Sequence, residues 1–289
     1  MTISTPLFTQ HSRSWRENRY VYPVISRRSK GLSIGVNLNP DQGCNFDCVY
    51  CSVDRSDAAP APTVRSVDLE VVRAELDHLL GLAVSGAVWN EPPFDRTPRE
   101  LRRLNDVAFS GDGEPTSYPG FGAACRLAAE LIAWHGAPAK VVVITNATLL
   151  DRPAVREALA FLDTVPSQVW AKLDAGTEDY YRLIERTKVP LGRVLDNLLI
   201  TGQARPIVIQ SMFLRYRGEA PSTAEIDAYL GRLRDLVAGG CRIALVQVYT
   251  VARSTAEAEA TPLTKDEVDA IVTGVTALGI VAEAYYGPG

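Results

Sequence analysis

The run Lys140-Val141-Val142-Val143-Ile144-Thr145 is apolar at nearly every position. A strand with one wet face alternates apolar and polar side chains, so a continuous apolar run calls for a strand covered on both faces. Related runs recur along the chain. Residues 32–38 read as a first strand, 106–110 as a second, and 169–173, 206–214 and 241–251 follow, with a short last strand at 280–286. Stretches of helical spacing lie between them. One carries Leu69, Val72, Leu76, Leu79 and Leu80, and others cover 121–135, 151–162 (capped by Asp151), 177–186 and 191–203. Ser222 with Glu225, and Thr264 with Glu267, have the spacing of capping boxes that open two further helices. Residues 84–104, with Pro92, Pro93 and Pro98, read as an irregular excursion. Strands alternating with amphipathic helices predict βα units around a parallel sheet, an α/β fold. The 289 residues lie within what one barrel-type domain fills, and 46% hydrophobic content supplies its core without disulfide staples. The division expected is an N-terminal basic extension over 1–30 and one domain over 31–289.

Composition narrows the setting. No apolar stretch is long enough to span a bilayer, and the first twenty residues lack the apolar core of a secretory signal. Five cysteines, an odd number with three clustered, suit a reducing compartment better than a disulfide framework, which predicts a cytoplasmic protein with no membrane partner. The net charge of −4 and the pI near 5.5 weigh against a general nucleic-acid binder. The charge is uneven, however. Arg13, Arg16, Arg19, Arg27, Arg28 and Lys30 face a single acid, Glu17, and form either a phosphate-facing strip or an ordinary solvated surface.

The strongest chemical signal is Cys44-Asn45-Phe46-Asp47-Cys48-Val49-Tyr50-Cys51. Three thiolates on one short loop can hold three irons of a cubane [4Fe–4S] cluster and leave the fourth iron open. A zinc site would need a fourth ligand. Cys125 sits on the apolar stripe of its helix, Cys241 begins a buried strand, and His11, His78 and His135 are scattered. A second motif, Ser110-Gly111-Asp112-Gly113-Glu114-Pro115-Thr116, ends the second strand, where glycines let backbone approach a ligand closely. The ends of later strands present Thr145-Asn146, Lys172-Leu173-Asp174, Gln210-Ser211, Gln247 and Tyr249, the positions at which barrel sites gather.

C-x-x-x-C-x-aromatic-C, with Tyr50 as the aromatic, resembles the signature of the radical SAM superfamily, and the Gly111–Glu114 turn resembles its Gly-Gly-Glu segment with Asp112 inserted. The resemblance implies an incomplete (β/α)6 barrel with the cluster at its mouth. It implies that S-adenosylmethionine (SAM) chelates the open iron and is cleaved reductively to a 5′-deoxyadenosyl radical, which takes a hydrogen from substrate. By the same resemblance Cys44, Cys48 and Cys51 are the metal ligands. Tyr50, Gly111, Asp112, Gly113, Glu114, Asn146, Lys172, Asp174 and Gln210 would line the SAM site, with exposed carbonyls of the glycine-rich turn or Glu114 accepting from the methionine ammonium. Lys172 is the candidate catalytic residue, as an amine nucleophile or a carboxylate clamp, against the plainer reading of a salt bridge. Ser26-Arg27-Arg28, Ser33–Asn37, Val143–Asn146, Lys172–Gly176 and Val246–Arg253 resemble, more narrowly, the group related to the tRNA wyosine-base synthases. That likeness covers most of residues 26–265. It makes tRNA a candidate substrate, with a small metabolite or peptide as the alternative. The wyosine synthases hold a second cluster on cysteines upstream of the signature, and no cysteine precedes Cys44 here. With no flavodoxin-like segment in the sequence, an external flavodoxin- or ferredoxin-type donor is expected. A non-enzymatic iron–sulfur electron carrier is the alternative from another class. The open iron and the Gly113-Glu114 segment count against it.

Overall fold

The computed structural model describes residues 15–56 and 58–287; His11 and Arg13 lie outside them. The apolar run is strand β4 (Lys140–Thr145), and Val141, Val142 and Val143 are all buried. Alternate side chains go to different compartments. Val141 and Val143 join the main core beneath the helices, whereas Val142 packs with Ala108, Trp170 and Val208 on the other face of the sheet. Both faces are covered, as the unbroken apolar pattern requires.

Ten strands and seven α-helices are described, besides four short 3₁₀ turns. Strand β1 (Val21–Ser26) leads into β2 (Gly31–Val36), α1 (Leu69–Ser85), β3 (Leu104–Phe109), α2 (Phe121–Trp134) and β4. Then come α3 (Pro153–Leu162), β5 (Ser167–Lys172), α4 (Glu178–Glu185), α5 (Leu191–Ala204), β6 (Ile207–Met212) and β7 (Leu214–Tyr216). The chain continues through α6 (Thr223–Ala238), β8 (Ile243–Tyr249), β9 (Ala260–Pro262), α7 (Lys265–Ala277) and β10 (Ala282–Tyr285). The main sheet runs β1-β2-β3-β4-β5-β6-β8-β10, and β7 pairs with β9 in a separate ribbon. Every pairing from β2 to β10 is parallel. The sheet curls into an open half-barrel, the incomplete barrel that the sequence implies.

Three local readings change. First, residues 21–26, inside the stretch read as a basic extension, form β1 and pair antiparallel with β2. Second, Asp151 does not cap α3. Its N-cap is Arg152, with Pro153 at the first helical position, and Asp151 instead pairs with Arg193 at 2.9 Å. Third, the Ser222–Glu225 box is only half formed. The Ser222 hydroxyl accepts from the Glu225 amide, but the Glu225 carboxylate leaves the helix and accepts from Gly176 N at 2.5 Å and from the Thr177 hydroxyl at 2.5 Å. The Thr264–Glu267 box is complete.

The antiparallel β1 puts the turn at residues 27–30 across the gap between the two edges of the half-barrel. Lys30 pairs with Glu283 of β10 at 2.9 Å, Arg27 donates to the Tyr286 carbonyl, and the Arg28 guanidinium lies 4.8 Å from the Tyr249 ring centroid. Side chains thus join edges that no backbone ladder joins. Burial, then the neighbouring Arg28 charge, lowers the Arg27 pKa to about 10. Of the described cations of the strip, Arg27 and Arg28 line a cavity, Lys30 is paired and Arg16 meets Glu91 at 2.8 Å, while Arg19 is exposed.

Gly176 follows the end of β5 and is pressed against α6. A Cβ there would lie 2.1 Å from Tyr229 N and 2.5 Å from Ala228 C, backbone atoms that cannot swing aside. Gly176→Ala is expected to destabilise the fold by about 1–3 kcal/mol, the usual cost of overpacking. Urea unfolding should show a lower midpoint at unchanged slope. An unchanged midpoint would mean that α6 does not hold this loop.

Candidate active site

The cysteine loop leaves the end of β2, and the glycine-rich turn leaves the end of β3. These strands are neighbours, with Val36 opposite Phe109, so the two loops emerge side by side. They touch through backbone. Glu114 N donates to Gly43 O at 3.2 Å, and a Cβ on Gly113 would lie 2.0 Å from that same oxygen. Only glycine fits this approach. Asn37, just past β2, braces the turn from below, with its Nδ2 2.6 Å from an Asp112 carboxylate oxygen and its Oδ1 3.2 Å from Asp112 N.

The cysteine loop is held on its other side by α4. Asp47 N and Val49 N donate to the carbonyls of Glu185 and Ile184 at 3.0 and 2.9 Å. The Cys48 thiol donates to Glu185 Oε2 at 2.6 Å. Arg55, four residues after Cys51, ties the loop to the turn. Its Nη1 lies 3.0 Å from Cys51 Sγ and its Nε 3.2 Å from Gln42 O, and its Nη2 donates to Asp112 O. Burial, followed by Glu185, pushes the Cys48 pKa well above its usual value, and burial raises Cys44 as well. Such thiols become thiolates when a metal centre supplies the compensating positive charge. Cys125 and Cys241 are buried in the main core, away from this loop.

The Glu114 carboxylate is 3% exposed and fully engaged within the chain. Oε1 accepts from Thr116 N at 3.1 Å, from the Thr116 hydroxyl and from the Thr145 hydroxyl at 2.7 Å. Oε2 accepts from Asn146 N at 2.7 Å. This carboxylate, one of the two kinds of acceptor expected for an ammonium, ties the glycine-rich turn to the end of β4. Asn146 is oriented in turn by Asn45 Oδ1 and Thr148, at 2.7 Å each.

Beneath the loop lies a buried polar cluster. Tyr50 donates to Glu185 Oε1 at 3.0 Å and to Asp174 Oδ2, and Asp174 Oδ1 accepts from Met212 N at 2.6 Å. Lys172 Nζ is 3.1 Å from Asp174 Oδ2 and 4.3 Å from the Tyr50 ring centroid. Burial alone would lower the Lys172 pKa, but Asp174, with Tyr249 and Glu185, raises it well above its usual value. The amine is held as an ammonium in a salt bridge, which disfavours the nucleophile reading. Burial and Asp174 raise Glu185 similarly.

One cavity of about 240 Å³ collects most of the expected residues: Cys44, Cys48, Tyr50, Cys51, Gly111, Asp112, Gly113, Glu114, Asn146 and Lys172. Asp174 lies outside its wall, and Gln210 lines the adjoining cavity instead. Arg55, Asn37 and Glu185 were not singled out from sequence. Arg55 carried a faint signal, a lone cation just after the third cysteine, whereas Asn37 and Glu185 act through folding alone. The donor set fits an iron–sulfur cluster. Three buried or half-buried thiols share one wall, with one guanidinium against a sulfur and a backbone-lined pocket alongside. Glu114→Ala is expected to lower the stability of the cluster-free protein by about 1–3 kcal/mol, since four donors lose their acceptor inside the core. Unchanged chemical stability would show that the carboxylate is free for a ligand ammonium.

Comparison with known proteins agrees with this geometry. The radical SAM superfamily model matches residues 38–219. A protein named GTPase Obg of Brachyspira hyodysenteriae is 26% identical over 172 residues, 59% of this chain and 21% of that protein. A UPF0026 protein of Methanocaldococcus jannaschii is 29% identical over 182 residues, 61% of this chain and 46% of that protein. The chain thus spans less than half the length of either relative. A radical SAM methyltransferase from Sphaerobacter thermophilus superposes with a TM-score of 0.61 at 14% identity, over 93% of this chain and 70% of that one. TYW1 bearing a lysine–pyruvate adduct superposes with a TM-score of 0.51 at 21% identity, over 86% and 74%. These two likenesses concern the fold. The family match covers well over half of the sequence, and with the three thiols and the glycine-rich turn on one cavity it makes this chain a member of the radical SAM superfamily, whose enzymes work with a [4Fe–4S] cluster and S-adenosylmethionine.

Proposed function

We propose that this enzyme binds a single [4Fe–4S] cluster on Cys44, Cys48 and Cys51, binds SAM beside it, and takes a hydrogen from a small-molecule substrate held inside the half-barrel. The observation that carries the reading is the backbone contact between Gly43 and Glu114, which fixes the cysteine loop and the glycine-rich turn on one cavity. When bound, the reduced cluster supplies the electron for reductive cleavage of SAM.

The chain's own residues set the conditions for that chemistry. Arg55 places positive charge against Cys51 and, through Gln42 and Asp112, keeps the two loops in register. Carbonyls of the Gly111–Gly113 turn are the acceptors proposed for the SAM ammonium, because the Glu114 carboxylate is already occupied. Asn146 stands at the same wall with its amide oriented by Asn45 and Thr148. Lys172 presents a permanent positive charge between the cavity and Asp174. Ala108, Val142, Trp170 and Val208 close the floor of the half-barrel with apolar surface and keep water from below. An external flavodoxin- or ferredoxin-type donor supplies the electron. Among the described residues, no helix is long and apolar enough to cross a membrane. The tRNA reading draws on the basic strip, and four of its cations are engaged within the chain or face its interior. Lys30 and Arg16 are in ion pairs, Arg27 is bound to a carbonyl, and Arg28 faces the interior. This favours a small substrate.

Anaerobically reconstituted protein is expected to hold about four irons per chain and, given SAM and dithionite, to release 5′-deoxyadenosine. Cys44→Ala, Cys48→Ala and Cys51→Ala should each abolish that release, while Cys125→Ala retains it. Product formation by all three loop variants would remove the cluster assignment.

A further inference from the structure

A second cavity of about 240 Å³ adjoins the first, on the side where β8 ends. The two share seven residues, among them Arg28, Tyr50, Cys51, Lys172 and Arg253, so a molecule seated in the second reaches the space beside the cysteine loop. Its wall carries Arg27, Arg28, Lys172 and Arg253 and no aspartate or glutamate. Three of these cations have partners: Arg27 at the Tyr286 carbonyl, Lys172 at Asp174, and Arg253, which is also engaged. Arg28 differs. Its guanidinium lies 4.8 Å from the Tyr249 ring centroid, within electrostatic reach of Asp106 and Tyr285, and among the described residues it makes no hydrogen bond or ion pair. Its N–H donors are therefore available to a carboxylate or phosphate.

An independent observation comes from Gln210, which lines the same cavity and is 0% exposed. Its Nε2 donates to Gln247 Oε1 at 2.7 Å, and its Oε1 has no partner. A buried amide oxygen is rarely left so, and its position on the wall marks where a donor belongs. We propose that this second cavity is the substrate site, and that the substrate is a small anionic molecule with a carboxylate or phosphate on Arg28 and a hydroxyl or amino group facing Gln210. The proposal rests on the radical SAM reading above and adds the class of substrate. The volume lies just below the usual range for small-molecule pockets, which fits a metabolite rather than a polymer.

The test is calorimetric titration of reconstituted protein with inorganic phosphate and, separately, with succinate, at fixed ionic strength and with SAM saturating. At least one anion should bind saturably at one per chain, and which one binds distinguishes phosphate from carboxylate. Arg28→Gln should weaken that binding about tenfold to a hundredfold, as loss of a charge-assisted bond does. Arg28→Lys, which keeps the charge but not the fork, should fall between, and carries the test if Arg28→Gln does not fold. Lys30→Gln, on the same turn but outside the cavity, should bind as wild type does. Any of these results would overturn the proposal: no saturable binding of either anion, wild-type affinity in both Arg28 variants, or binding seen only when the titration is repeated without SAM, which would give the site to the SAM carboxylate. Displacement of the bound anion by tRNA would also overturn it, in favour of RNA. 5′-Deoxyadenosine release without anion binding removes this site alone, whereas anion binding without release removes the reading on which it rests.

Discussion

The approach of Gly113 to the Gly43 carbonyl is the contact on which the rest of the site depends. Neither loop has a regular ladder of its own near the cavity. Each is placed by its strand, and strand register alone leaves several ångströms of slack at a loop tip. Backbone against backbone removes that slack, and the Arg55 bridge and the Asn37 brace then have fixed targets. The arrangement also explains why Glu114 is buried. Its backbone amide faces the cysteine loop while its carboxylate holds the Thr145-Asn146 end of β4, so one residue relates three strand ends.

The half-barrel poses a second problem, because a curled sheet that does not close leaves two edges. Here the antiparallel β1 covers one of them, and the turn after it reaches β10. The Lys30–Glu283 pair is exposed and adds little stability by itself. Its effect is geometric, since the same turn carries Arg28 into the interior beside Tyr249. A segment that reads as loose and basic thus forms part of the cavity wall.

Much of this was legible from residues. The unbroken apolar run at 140–145 announced a strand covered on both faces, and the cysteine spacing announced three thiols on one loop, which the structure brings to one cavity wall. What escaped has identifiable causes. Strand β1 contains Pro23 and is flanked by arginines, which reads as coil; proline is tolerated because β1 is an edge strand. Glu225 has the spacing of a capping box, and spacing cannot reveal that Gly176 offers its amide a better use of the carboxylate. The Gly-Gly-Glu resemblance offered turn carbonyls or Glu114 as acceptors for a ligand, and it could not reveal that four donors, from the turn and from the end of β4, converge on the Glu114 carboxylate. Glu185 lies far from Cys48 in sequence, and Asn37 lies far from Asp112, so these contacts exist only once the sheet has formed.

The claim at the centre of this account is that three cysteines hold a cluster whose open iron faces the pocket beside Gly113. Electron paramagnetic resonance of the dithionite-reduced protein, recorded with and without SAM, tests it most directly. The account predicts a [4Fe–4S] signal whose g-values shift on adding SAM in the wild type, and a signal that persists without that shift in Gly113→Ala. A wild-type spectrum identical with and without saturating SAM would contradict it.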